Sequence, residues 1–382
     1  MGREFASAAA RWIHIDALGL RPELAVVCDP NPHVLAWYER LEPAPRLVSD
    51  YRELLAYDSV EAVYCAVPHH LHEEIYTACL RAGKHLLGEK PFGIDLSANR
   101  SIGAEIDAHP ELLVRCSSEL PFYPGGQRVW RWIAEHRYGC VLEVHSAFLH
   151  SSDLDPKKPI NWKRRAAENG EYGVMGDLGM HALHLPLRAG WFPSDVRAIL
   201  SDVVHERPDG LGGTAPCDTW DNALLLCEVE EAGEAFPLRI ETKRIAPGET
   251  NTWILEVDGT EGSIAYTTKQ PKTLRWMAYE PGGPQAWNVL GLVGVGLPVD
   301  HRSDLRVRLL GRGPPDVGRL PGRARPRARR HAPALPLRDA GGGGGDSSGL
   351  HRGPRIPGDV LGRGPQRRAR VSSSPGVAEE PR

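Results

Sequence analysis

Between residues 23 and 119, short apolar runs alternate with amphipathic segments of about ten residues, and this alternation constrains the fold more than any other feature. ELAVVCDP (23–30), the start of RLVSDYRELL (46–55), VEAVYCAVP (60–68), KHLLGEKP (84–91) and LLVRCSSE (112–119) read as strands. REFASAAARWIHIDAL at the start, HVLAWYERL (33–41), HEEIYTACLRAG (72–83) and LSANRSIGAEIDA (96–108) read as helices, with Gly83 as a stop signal. Uninterrupted β-branched runs suit strands covered on both faces. Strand and helix in regular succession therefore predict an α/β fold with a doubly wound parallel sheet.

Ligands of such sheets sit beyond the carboxyl ends of the strands. Three ends here carry special residues: Asp29, the stretch Pro68 to His72, and Glu89-Lys90-Pro91. Asp29 lies 27 residues after Gly2. A carboxylate at about this spacing from a glycine turn accepts from a ribose 2′-hydroxyl and repels a 2′-phosphate, which favours NAD over NADP. Asp29 reads equally well as the opening of a turn with Pro30 and Asn31. Gly2 alone represents the glycine turn, so a truncated or misassigned start, lacking the first strand, is expected.

Further on, VLEVHSAFL (141–149), ALLLCEVE (223–230), PLRIETKRI (237–245) and TWILEVDG (252–259) alternate polar and apolar residues. They predict one large, open, mainly antiparallel sheet. GDLGMHALH (176–184) reads as a helix that sets Asp177 and His181 one turn apart on a shared face.

Taken together, AVPHHLHEEIYTACLRAGKHLLGEKPFG (66–93), GDLGMHALH and LEVDGTEGSI (255–264) resemble the Gfo/Idh/MocA oxidoreductases, the group related to glucose–fructose oxidoreductase and inositol dehydrogenase. Pro68 and His72 match that family's Pro-x-x-x-His. Gly83-Lys84-His85 and Glu89-Lys90-Pro91 match its next signature, and Asp177, Gly179 and His181 its Asp-x-Gly-x-His. Glu119 departs from the family, many of whose members have Asn there. The resemblance implies a Rossmann domain followed by an α/β domain whose sheet covers the nicotinamide of NAD or NADP. It implies oxidation of a hydroxyl, or reduction of a ketone, on a sugar or polyol. Lys90, Asp177 and His181 are then the catalytic residues, and Gly2, Asp29, Pro68, His72, Glu89, Lys90 and Pro91 the cofactor contacts. A homo-oligomer formed through the second domain's sheet is also implied.

The chemistry suits those residue types. Removing hydride from a secondary alcohol needs a base for the hydroxyl proton and a positive charge near the developing alkoxide. Histidine titrates nearest neutrality. Asp177 can orient the imidazole or meet a substrate hydroxyl, and the Lys90 ammonium can stabilise the oxygen. Pro91 keeps Lys90 extended. In the loop HSSDLDPKKPINWKRRAAENGEYG (150–173), Trp162 and its basic neighbours can grip a polyol or a carboxylated substrate. Gly173, Gly176 and Gly179 allow close backbone approach to a ligand. Each residue also has a bland reading: a solvated lysine, a core histidine, a flexible loop. Asp177, His181 and His184 have metal-ligand spacing, but no HExxH or cysteine ligand accompanies them and Lys90 opposes a cation, so no metal is expected. A non-catalytic relative of the same fold is the alternative to an enzyme.

Composition divides the chain at residue 290. Residues 291–382 hold 18 Arg, no Lys and 8 acidic residues, with 18 Gly and 12 Pro. The part before holds 28 basic residues, 41 acidic ones and all 26 aromatics. So few large apolar groups cannot offset the entropy of ordering, so the tail is expected to be disordered, in the manner of a frameshifted reading frame. Nucleic-acid binding through its arginines is the minor alternative. The organisation expected is thus a nucleotide domain over 1–120, a substrate and oligomerisation domain over 121–290, and the tail. The start lacks a signal peptide's apolar core, no run is long enough to span a membrane, and the seven cysteines show no CxxC spacing. A cytoplasmic protein with reduced, buried thiols is expected.

Overall fold

The computed structural model describes residues 1–12 and 21–292. The tail expectation and the second half of the first predicted helix lie outside the described residues. The chain opens with α1 (Gly2–Ala10), followed by β1 (Val26–Cys28), α2 (Pro32–Leu35), β2 (Arg46–Val48), α3 (Tyr51–Leu55) and β3 (Ala62–Cys65). Then come α4 (His72–Arg81), β4 (His85–Glu89), α5 (Leu96–Ala108) and β5 (Val114–Ser117). Every pairing among these strands is parallel, as expected, but the strands form two separate pieces, β1-β2 and β3-β4-β5. α1 touches both: Arg3 stacks over the Trp37 ring, and Phe5 lies 4.2 Å from the Tyr64 ring of β3. Gly2 fits because a Cβ there would meet the Tyr38 hydroxyl.

Local chemistry sets the helix ends. The Asp95 side chain accepts from Ala98 N–H at the start of α5, and Gly83, at φ +71°, closes the turn after α4. A small core of Ile75, Tyr76, Leu80, Leu86 and Ile102 joins α4 and α5 to β3, β4 and β5.

The second half begins with α6 (Pro124–Ala134) and β6 (Val141–Leu149), continues through α7 (Ala166–Asn169) and α8 (Val174–Arg188), and enters β7 (Asp195–Ser201), β8 (Glu206–Pro208) and β9 (Thr214–Pro216). β10 (Asn222–Glu231), β11 (Glu234–Lys243), β12 (Thr252–Gly259), β13 (Gly262–Thr267), β14 (Thr273–Ala278) and β15 (Asn288–Gly291) complete it. Eight strands form one sheet in the order β15-β14-β13-β12-β6-β11-β10-β7. All neighbours are antiparallel except β6 and β11. Ala232 and Gly233, both at positive φ, make the two-residue turn between β10 and β11.

One face of the sheet packs against α6 and α8 around Trp132, Trp191, Trp253, Leu185 and Leu238. Ser146 Oγ donates to Ala182 O at 2.6 Å, fixing the height of α8 over β6. β15 and Leu292 extend this sheet past residue 290: Leu292 N–H donates to Lys272 O. All seven cysteines are free. Three are buried, three are partly covered and Cys140 is exposed, which corrects the expectation of uniformly buried thiols. Among the described residues no helix is long and apolar enough to cross a membrane.

Candidate active site

Lys90 follows the carboxyl end of β4, and Asp177 lies in the first turn of α8. The Lys90 ammonium donates to Asp177 Oδ1 at 2.7 Å and to its main-chain oxygen at 2.6 Å. Residues 87 positions apart thus meet across the two halves of the fold. Asp177 is fully buried, and two further cations converge on it. Lys163 Nζ is 3.1 Å from Oδ2 and Arg244 Nη2 is 2.8 Å from the same oxygen. Burial alone would raise the Asp177 pKa, but Lys90, Arg244 and Lys163 outweigh it and hold the carboxyl well below the usual range.

A surrounding layer of charge supports this cluster. Arg164, also fully buried, pairs with Asp221, whose other oxygen accepts from Val203 and Val204 N–H. Lys158 donates to Asp153 at 2.8 Å. Asp153 Oδ2 lies 3.8 Å from Arg244 and 3.9 Å from Arg164.

His181 occupies the next turn of α8, as its spacing predicted, but Asp177 does not orient its ring. Among the described residues the imidazole within ion-pair distance of Asp177 is that of His69, at 3.8 Å. The His181 ring instead stacks on Phe148 of β6, with centroids 4.4 Å apart. Its buried Nδ1 has no hydrogen-bond partner among the described residues. Burial, then the nearby Lys90 charge, lowers its pKa to about 3, so the ring is neutral at physiological pH. Burial likewise takes His69 to about 3 and His150 to about 4.

The other predicted residues fall into place unevenly. Trp162 reaches the cluster: its ring meets His69 edge-on at 4.7 Å, with Lys163 Nζ 5.6 Å from its centroid. Pro68 begins the turn that carries His69. The Lys90–Pro91 peptide is cis. His72 is fully buried, with Nδ1 2.6 Å from Pro91 O and Nε2 3.0 Å from Val67 O, so both ring nitrogens face main-chain carbonyls and the neutral ring donates to one of them. Glu89 accepts from the Tyr64 hydroxyl at 2.7 Å and its main-chain oxygen from the Tyr76 hydroxyl. Asp29 follows the turn reading at one oxygen, which accepts from Asn31 N–H at 2.8 Å. The glycines of α8 make close approaches to protein instead of to an open site. A Cβ on Gly173, at φ +53°, would strike Trp220 N, and one on Gly179 would strike Met175. Gly176 has room for one. No cluster of metal-ligating groups occurs among the described residues.

Sequence reasoning missed Arg244 and gave His69 no part beside Asp177. Arg244 was legible. Phe236, Leu238, Ile240 and Thr242 are the buried alternate positions of β11, and Arg244 continues that parity, so a charge stands where the core face predicts an apolar residue.

The residues suit a nicotinamide dinucleotide's chemistry: among the described residues His181 keeps an unpartnered buried ring nitrogen, and the charge of Lys90, after a parallel strand's carboxyl end, acts on that ring. Residues 2–114 match the model described as oxidoreductase family, NAD-binding Rossmann fold, and residues 127–265 match the GFO/IDH/MocA C-terminal domain. The chain belongs to the Gfo/Idh/MocA oxidoreductase family. It is 25% identical over 267 residues to levoglucosan dehydrogenase of Pseudarthrobacter phenanthrenivorans, a match covering 66% of this chain and 67% of that one. It is 25% identical over 156 residues to scyllo-inositol 2-dehydrogenase (NADP(+)) IolU of Bacillus subtilis, covering 41% and 47%. The structure of levoglucosan dehydrogenase in complex with NADH and levoglucosan superimposes with a TM-score of 0.67 at 24% identity, over 74% of this chain and 75% of that one, a likeness of fold.

Proposed function

We propose that the protein oxidises a hydroxyl, or reduces a ketone, on a sugar or polyol with a nicotinamide dinucleotide. One observation carries this reading: Lys90 from one half of the fold bonds the buried Asp177 of the other, one helical turn before the buried, neutral His181. The bound dinucleotide supplies the hydride acceptor or donor. Lys90 spends two of its three N–H bonds on Asp177, which leaves the third for the substrate oxygen and its developing negative charge. Asp177, held ionised, fixes the direction of the ammonium. His181, neutral above about pH 3, takes up the hydroxyl proton in the oxidative direction.

Around this core, Trp162 offers a flat apolar face to a sugar ring. Gly2, Asp29, Pro68, His72, Glu89 and Pro91 line or brace the dinucleotide's path, and Asp29 favours NAD over NADP. Residues 1–120 act as the nucleotide lobe and 121–290 as the substrate lobe, in a cytoplasmic oligomer joined through the outer face of the eight-stranded sheet. The relation to levoglucosan and scyllo-inositol dehydrogenases supports the substrate class.

An absorbance screen at the NADH band over a panel of sugars and polyols tests the proposal, with Lys90→Ala as control. Turnover by the natural chain that the variant lacks is the expected result. Turnover that survives Lys90→Ala removes Lys90 from the mechanism, and failure to bind either NADH or NADPH while folded overturns the enzyme reading.

A further inference from the structure

The charges around Asp177 do not balance. Five cations, Lys90, Lys158, Lys163, Arg164 and Arg244, surround three carboxylates, Asp153, Asp177 and Asp221. Two pairs are internally matched, Lys158 with Asp153 and Arg164 with Asp221. That leaves Lys90, Lys163 and Arg244 to share Asp177. His69, His150 and His181 are neutral and offset nothing, and Glu89 accepts from the Tyr64 hydroxyl and forms no ion pair with Lys90, Lys163 or Arg244. Uncompensated charge in a buried cluster is costly, so a site built this way gains by admitting an anion. The proton that His181 accepts during oxidation would enlarge the surplus further.

The three cations differ in reach. The side chain of Arg244 is 1% exposed and that of Lys90 13%, whereas Lys163 is 37% exposed. Lys163 is also held most loosely, at 3.1 and 3.4 Å from the carboxylate oxygens. Its ammonium lies beside the half-buried Trp162 ring. Burial, reinforced by Lys90 and Arg244, lowers its pKa against the pull of Asp177.

We propose that the substrate of this site is an acidic sugar or polyol, whose carboxylate is held by Lys163 beside Trp162 while its reacting carbon lies at Lys90 and His181. This rests on the oxidoreductase reading and narrows its substrate class. A neutral polyol would leave the surplus in place, and a carboxylate removes half of it with charge-assisted hydrogen bonds.

The test uses matched pairs that differ only in the acid group: D-glucuronate against D-glucose, D-galacturonate against D-galactose, and D-gluconate against D-sorbitol. Binding of each to the full-length protein is measured calorimetrically with NADH present, at low and at physiological salt. At least one acid should bind about tenfold or more tighter than its neutral partner, the scale of one charge-assisted hydrogen bond. Lys163→Met should bring that ratio close to one and Lys163→Arg should largely keep it. The proposal is overturned if every neutral member binds as well as its acid, if no acid binds at 10 mM (~10-fold above the upper end of typical KM values, about 1 mM), or if the ratio survives Lys163→Met. Failure of NADH itself to bind would instead strike the oxidoreductase reading, and the acid-to-neutral ratio measured without the dinucleotide would still decide this one.

Discussion

Two clusters of the same chemical kinds sit in this molecule, one between the halves of the fold and one on the outer face of the eight-stranded sheet. Inside, Asp177, itself without exposure to solvent, gathers Lys90, Lys163, Arg244 and His69. Outside, Glu241 gathers Lys243 at 2.8 Å, Arg239 at 3.0 Å and His145 at 3.3 Å, and His145 also reaches Glu256 at 3.2 Å. The distances are similar, but the surroundings are not. Arg239, Lys243 and Glu256 each keep more than a third of their side-chain exposure, so water screens their pairing with the outer cluster, which contributes little and depends on salt. Exclusion of water around Asp177 makes its contacts strong, and loss of that carboxylate expensive, because its cations are then left uncompensated. The lesson is that burial, more than the inventory of residues, separates a site from a decorated surface.

The comparison can be broken most severely at Asp177. Asp177→Asn keeps the shape and leaves three cations facing a neutral amide, so it should cost about 3–5 kcal/mol of stability, read by urea denaturation. Lys90→Ala should leave the fold intact, since Arg244 and Lys163 still hold Asp177, yet lower kcat by about 10²–10⁴-fold in the NADH assay.

Acid should sharpen the contrast next. His69, His150, His181 and His184 have folded pKa values of about 3 to 4, below the ordinary 6.5. The unfolded chain therefore binds more protons below pH 6.5, and stability falls as pH drops from there toward 4. Each such histidine should contribute about 1.4 kcal/mol per pH unit, measured by denaturation at pH 7.5, 6 and 5. A flat profile over that range would contradict their neutral burial. The smallest effect belongs to the outer cluster: Glu241→Gln should change stability by less than about 1 kcal/mol, and the change should shrink in 0.5 M salt (Debye length roughly 4 Å).

Much of this was legible in the sequence where order is local. The ranges of α5, β6 and β12 follow from their hydrophobic periodicity, and the tight turn at Gly83 from the glycine itself. Lys90 stood out at a strand end, and the resemblance to the family singled out Asp177 and His181 with it, helical spacing then setting those two on one face. What remained hidden depends on contacts between distant residues. His69 meets a carboxylate 108 positions away, a fact no periodicity carries. His72 looked like a ligand contact because it sits at a strand mouth, but two nearby carbonyls claim its ring. The pairing of Asp177 with cations instead of with His181 reflects a competition that helical spacing cannot decide, since a charged ammonium outbids a neutral imidazole. Arg244 was hidden only by attention to apolar residues: its parity along β11 announced it.

That parity has a consequence for assembly. Lys243 pairs with Leu149 in the parallel ladder of β6 and β11, which turns Arg244 inward. A slip of one position would carry the guanidinium to the outside and bring a different side chain under Asp177. The geometry around Asp177 therefore inherits its accuracy from strand alignment: a misthreaded ladder would lose the buried charge cluster and the packing in the same step.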